Sequence, residues 1–203
     1  RFIWFGDFMS DIAHIPMFPL AILPLPGELV PLHIFEPRYQ QLLQDAEIND
    51  LHFGIYFSHE SNEQKIGSLM KLESIIKRYP AGEADIIVKC EDIFDLKSLA
   101  RTYKTKMYPG GDARFWNIET SCFPGPELYD LFLSYLQMRN INAHLTVYGL
   151  FQIANELNLD INDRYKFLTA AEEKREAFIL SRVKFQLHIL LQEEKSKDNF
   201  FLN

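Results

Sequence analysis

Cysteine is scarce: the 203 residues hold only Cys90 and Cys122. That excludes a disulfide framework and a thiolate zinc cluster. Two thiols in a chain of this length suit a reducing compartment, and the expected location is cytoplasmic. Long apolar runs are also lacking. No segment approaches the roughly 18–20 uninterrupted apolar residues that span a bilayer, so no membrane partner is expected. Positive charge is in deficit, with 21 Lys and Arg against 28 Asp and Glu and a net charge of −7. That balance argues against nucleic-acid binding driven by overall charge. Nine glycines and ten prolines are too few for a linker or a collagen-like chain.

Catalytic signatures are missing as well. There is no G-x-x-x-x-G-K-[ST], no G-x-G-x-x-G and no G-x-S-x-G. His59-Glu60 is followed by Ser61-Asn62-Glu63, so the second histidine of a zinc-protease helix is absent. The six histidines are scattered, and metal binding needs ligands presented together. No metal and no cofactor are expected. Cys90 falls in a strand-like apolar segment and reads as a buried structural thiol. Cys122, beside the Phe123-Pro124-Gly125 turn, reads as exposed, with no neighbouring histidine to serve as a base. The chain is read as a non-enzyme.

What is present is a globular composition, 47% hydrophobic and 24% charged, organised in two styles. Residues 1–8 precede Met9 and read as a non-native or upstream segment. Residues 9–124 read as a β-rich subdomain and residues 125–203 as a helical one with a long terminal helix, the change falling at Pro124-Gly125-Pro126. Strands are predicted over 17–23, 30–35, 53–57, 66–78, 84–96, 100–108 and 114–121, suggesting a closed or half-closed barrel. One helix is inserted at Pro37, where a missing N–H costs nothing. Its Tyr39, Leu42, Leu43 and Ala46 recur at helical spacing. In the helical part, Asp163 is expected to cap a short helix. The last helix is expected to run over 171–195, with Ile179, Val183, Leu187, Leu190 and Leu191 on its apolar face.

One stretch is locally basic. No acid falls between Asp95 and Asp112, whereas Lys97, Arg101, Lys104 and Lys106 do, with Tyr103 and Tyr108 interleaved. In a strand Lys104 and Lys106 would share a face with Tyr108. Such a surface could stack bases and pair phosphates. It also reads as a solvated edge strand kept apart from others by its lysines.

Phe18-Pro19-Leu20, then Pro26-Gly27, then Pro31-Leu32-His33-Ile34-Phe35-Glu36-Pro37-Arg38-Tyr39 resembles the opening of the Lon protease N-terminal domain, also called the Lon substrate-binding domain. Ile66-Gly67-Ser68-Leu69 and the segment from Asp85 to Leu96 are similar to later family strands, with Cys90 where the family favours Gly and Ile93 where it favours Arg. The resemblance implies an α+β fold: a β-rich, PUA-like pseudo-barrel followed by an all-helical half. It implies a stand-alone form without the ATPase and protease domains, hence no peptidase activity. It further implies a module that binds unfolded or partner polypeptides, with a separate protease as one partner. The oligomeric state is left open. The residues themselves read as structural: Leu32, Ile34 and Phe35 are expected to pack the barrel. Arg38, unfavourable near a helix N-terminus, is expected to pair with Glu83 or Asp85. Tyr79, Tyr108, Trp116 and Phe123, in or near predicted turns, are the candidate polypeptide contacts. The alternative function is a PUA-like RNA-binding module using Lys97, Arg101, Lys104 and Lys106.

Overall fold

The computed structural model describes residues 12–142 and 147–200, with side chains as far as Ser196. The segment 1–8, expected to be upstream sequence, lies outside the described residues. The chain divides into two compact units between Ile118 and Glu119.

Among the described residues the first unit contains six strands and one helix: β1 (Ile12–Pro16), β2 (Leu29–Ile34), α1 (Pro37–Asn49), β3 (Phe53–Tyr56), β4 (Ile66–Arg78), β5 (Ala84–Ala100) and β6 (Gly110–Phe115). All strand pairs are antiparallel, in the order β1-β6-β5-β4-β3, and β2 lies along the N-terminal part of β5. The segment after β1 closes the sheet. Met17 and Leu20 bridge in parallel to Gly54 and Phe57. Phe18 N donates to Gly54 O at 2.7 Å, and Ser58 N donates to Leu20 O at 2.8 Å. The result is a barrel whose centre holds Met17, Phe94, Leu96 and Ala113. Gly67 lets Phe94 approach the wall, because a Cβ there would collide with its ring and with the Ile55 carbonyl.

Helix α1 buries Tyr39, Leu42, Leu43 and Ala46, the four positions its periodicity selects. Pro37 opens it after an extended Glu36. Several expectations need correction. The first strand is Ile12–Pro16, and 17–23 contributes only isolated bridges, since Pro19 lacks a ladder donor. The predicted 100–108 strand is a compact loop in which Tyr103 N donates to Tyr108 O at 2.7 Å and Lys104 takes φ 52°. The strand expected over 114–121 begins earlier, at Gly110, and ends at Phe115.

The second unit contains α2 (Pro126–Met138), α3 (Leu150–Glu156), α4 (Ile161–Thr169) and α5 (Glu172–Phe200). Leu128, Phe132, Tyr135 and Leu136 of α2 are buried, as are Ile179, Val183 and Leu187 of α5. Leu190 is only half-buried, and Leu191, expected on the same face, is exposed. The cap of α4 is Asp160, whose side chain accepts from Asp163 N at 2.8 Å. Asp163 lies in the first turn instead, 3.0 Å from Arg182 Nε. No helix among the described residues is long and apolar enough to cross a membrane.

Candidate functional site

The outer face of the barrel where β2, β5 and β4 run side by side is ruled in rows. Residues directly opposite on antiparallel strands project to the same side. Leu29, Lys89 and Lys71 form one row; Pro31, Ile87 and Ser74 the next; His33, Asp85 and Lys77 the third. The alternate positions, Ile34, Ile86, Val88, Cys90 and Met70, are buried in the barrel. Burial pushes the Cys90 thiol far up, so it is inert, as its sequence context suggests. The outer rows put apolar groups in water: Leu29 is 56% exposed, and Phe35, just past β2, is 59% exposed.

One end of this face is built around Asp85. Tyr79 Oη donates to Asp85 Oδ2 at 2.7 Å, and His33 Nδ1 lies 2.6 Å from Oδ1. These two bonds hold the Asp85 carboxyl below its ordinary range, and the same contact raises the Tyr79 phenol. The His33 ring lies 5.9 Å edge-on from Tyr79 and 6.0 Å from Phe35. Lys77 Nζ sits 4.5 Å from the Tyr79 ring centre. The hairpin turn behind Tyr79 requires Gly82 at φ 90°, where a Cβ would also strike Gln40. The arrangement is an aromatic and aliphatic surface edged by lysines.

The structure scatters the residues singled out in the sequence. Tyr79 lies on this face. Tyr108 does not reach any surface: it is 1% exposed, its hydroxyl donates to Asp45 at 2.7 Å, and burial with that bond pushes its phenol far up. Trp116 is half-buried and donates Nε1 to Asp95 at 2.7 Å. Phe123, 64% exposed, belongs to the helical unit. The stretch that is free of acid in sequence is not free of it in space. Lys106 donates to Asp45 at 2.8 Å, Lys97 lies 3.5 Å from Asp95, and Lys104 lies over the Tyr103 ring. With 101–108 looped, Lys104 and Lys106 share no strand face with Tyr108. Arg101 is exposed. Arg38 pairs with Glu36 at 2.8 Å and covers the Tyr39 ring, not Glu83 or Asp85. Phe35, expected inside the barrel, is outside it. Leu29, His33, Phe35 and Ile87 were not singled out as contacts. The alternation on either side of Pro31 was the available signal, since proline in a strand marks an edge.

A second surface lies where β1, β6 and β5 meet. Its rows are Ile12, Arg114 and Asp95, then His14, Asp112 and Ser98. Arg114 Nη2 donates to Asp95 Oδ2 at 2.6 Å. Burial raises the Asp95 carboxyl, but the bonds from Arg114 and Trp116 outweigh it and leave the carboxyl low. Ser98 Oγ donates to Asp112 at 2.6 Å, and His14 Nδ1 lies 2.8 Å from the same carboxylate. The carboxylate sits between serine and histidine, so this trio has the composition of a hydrolytic triad in the wrong order: the histidine does not face the hydroxyl.

The first unit is thus a barrel of antiparallel strands closed by two parallel bridges, and helices follow it in the chain. The sequence profile of the ATP-dependent protease La (LON) substrate-binding domain matches residues 14–146, and the chain belongs to that family. A Lon N-terminal domain protein from Xanthomonas campestris has the same fold, with TM-score 0.62 at 19% identity over 87% of this chain and 98% of that one. The N-terminal domain of the Mycobacterium avium complex Lon protease aligns with TM-score 0.46 at 15% identity, over 89% of this chain and 97% of that one. No curated protein matches significantly.

Proposed function

We propose that this substrate-binding domain is a non-catalytic module that holds exposed apolar segments of other polypeptides on the outer β2–β5–β4 face. The observation that carries the reading is the set of adjoining apolar groups on the outer side, the exposed Leu29, Pro31 and Phe35 and the half-buried Ile87, ringed by Lys71, Lys77 and Lys89. Tyr79 contributes its ring at one end, held by Asp85. Phe123 is a separate candidate contact on the helical unit. Captured chains would be passed to a separate protease, and the work would be done in the cytoplasm. Against the RNA reading, Lys97 of β5 and Lys106 of the loop 101–108 are already paired with carboxylates.

The test is fluorescence anisotropy with a labelled, permanently unfolded, apolar-rich polypeptide, and with single-stranded RNA as the comparison. The polypeptide is expected to bind with little salt dependence, and RNA is not. Phe35→Ser should weaken the polypeptide about tenfold or more, the range for removing one buried large apolar contact. Unchanged affinity in Phe35→Ser and Ile87→Ser would overturn the placement. Salt-sensitive RNA binding without polypeptide binding would overturn the function.

A further inference from the structure

We propose that the captured polypeptide binds as an added strand along the outer edge of β2, and that the preferred segment is extended, apolar at alternate positions and flanked by acids. This deepens the polypeptide-binding reading and rests on it.

The phase of the β2 ladder decides which backbone groups are free. Cys90 N donates to Glu28 O at 2.9 Å, which places Glu28 opposite β5 as a bonded residue. Pairs alternate between bonded and non-bonded along an antiparallel ladder. Val30, Leu32 and Ile34 therefore turn their N–H and C=O groups toward β5, and Leu29, Pro31 and His33 turn theirs away. Pro31 fits only in that second set, because it has no N–H to give. Among the described residues β2 pairs with β5 alone. The open edge thus offers a full donor and acceptor at Leu29 and at His33, about 13 Å apart at ordinary strand rise, with a lone acceptor at Pro31 between them. A strand of five or more residues would fit this edge by β-augmentation.

Side chains and charge select the occupant. An added strand extends the three rows by one column, so its alternate residues would lie beside Leu29, Pro31 and His33, with Phe35 at one end. Apolar side chains are favoured there. The rows carry Lys71, Lys77 and Lys89 against a single carboxylate, Asp85, in a chain whose net charge is −7. Asp85 is occupied by Tyr79 and His33, and Lys71 shares Asp50 at 3.1 Å. Lys89 is exposed and forms no ion pair among the described residues. Acidic groups flanking the apolar positions complement this face.

The experiment uses the whole chain and a labelled nine-residue peptide that alternates leucine with glutamate. Two further versions carry N-methyl groups, one on every leucine and the other on every glutamate. Strand addition uses the N–H groups of alternate residues only, and the leucine alternation fixes the register. One methylated peptide is expected to lose about 30-fold or more in affinity and the other to stay within about threefold, since the carbonyls of Leu29, Pro31 and His33 would lose their donors in one and keep them in the other. Leu29→Pro removes an outward N–H without touching the ladder and should weaken the parent peptide several-fold, with Tm unchanged. Exchanging glutamate for lysine should cost about tenfold at low salt. Equal binding of the two methylated peptides, or equal loss, would overturn strand addition. Equal binding of the lysine peptide would overturn the acidic preference. β2-dependent dimers that peptide does not dissociate would overturn the choice of occupant. If the unfolded polypeptide binds and the short peptide does not, strand addition fails while the binding function stands. If neither binds, the function itself fails.

Discussion

Strand β5 passes through two surfaces, and they differ in what is left over. Around its C-terminal half, polar groups find one another: Asp95 takes Arg114 and Trp116, and Asp112 of β6 takes Ser98 and His14. Along its N-terminal half, Leu29 and Phe35 are exposed beside it, Lys89 forms no ion pair among the described residues, and β2 presents an edge. The same strand and the same core support both. A surface whose polar groups satisfy one another offers a guest little to bond with, whereas one with an unpaired strand edge offers free donors and acceptors.

The comparison can be broken by removing what the two surfaces share. What they share is the barrel: Phe94 is fully buried at its centre, and Phe94→Ala should cost about 3–5 kcal/mol, read by urea unfolding. Peptide binding and the tryptophan signal from Trp116 should then be lost together. Next in size is Asp92, which is buried and accepts from Ile93 N at 2.8 Å, Asn117 N at 2.8 Å and Ile118 N at 3.1 Å. Asp92→Ala leaves these donors without that acceptor, at about 3 kcal/mol. Amide exchange should quicken at Asn117 and Ile118 before it does in β2.

Smaller changes sharpen the comparison by acting on one surface only. Arg114→Ala should cost less than about 1 kcal/mol, because the pair is solvent-exposed on the arginine side, and should leave polypeptide affinity unchanged. Phe35→Ser should do the reverse, with a stability change within about 0.5 kcal/mol and a clear loss of binding. The smallest effect is in acid. Asp85, Asp95 and Asp112 all have folded-state pKa values below the ordinary 3.8. The unfolded chain therefore holds more protons as the pH falls. Their contribution is whole above that ordinary value and is lost as the pH drops through the folded-state pKa. Stability measured from pH 7 down should stay level on their account until about pH 4 and then decline, less steeply in Asp112→Asn.

Where burial follows from local spacing, the sequence was readable. Tyr39, Leu42, Leu43 and Ala46 lie on one stripe of α1 because a helix turned every 3.6 residues can bury only one stripe. The 13-residue β4 matches its expected range because apolar residues recur from Ile66 to Ile76 with no proline, up to a turn-forming Tyr79-Pro80-Ala81-Gly82. The loop 101–108 was misread because alternating Lys and Tyr imitate a strand. What folds it back is Asp45, 63 residues earlier, which receives Tyr108 and Lys106. The face was legible only in part. Tyr79 is visible as a turn aromatic, but its bond to Asp85 and its distance from His33 depend on hairpin register. Ile34 and Phe35 are both apolar, and only the pairing of Ile34 with Ala84 shows which of them turns inward.

Pro31 also governs how copies of this chain treat one another. Two β2 edges brought together antiparallel in full overlap would set Pro31 against Pro31, with Leu29 against His33. At the centre two carbonyl oxygens would face each other with no N–H between them, whereas an ordinary guest strand supplies one. A single imino acid makes the edge more hospitable to a stranger than to its twin, so crowding of the protein need not close the surface that other chains would use.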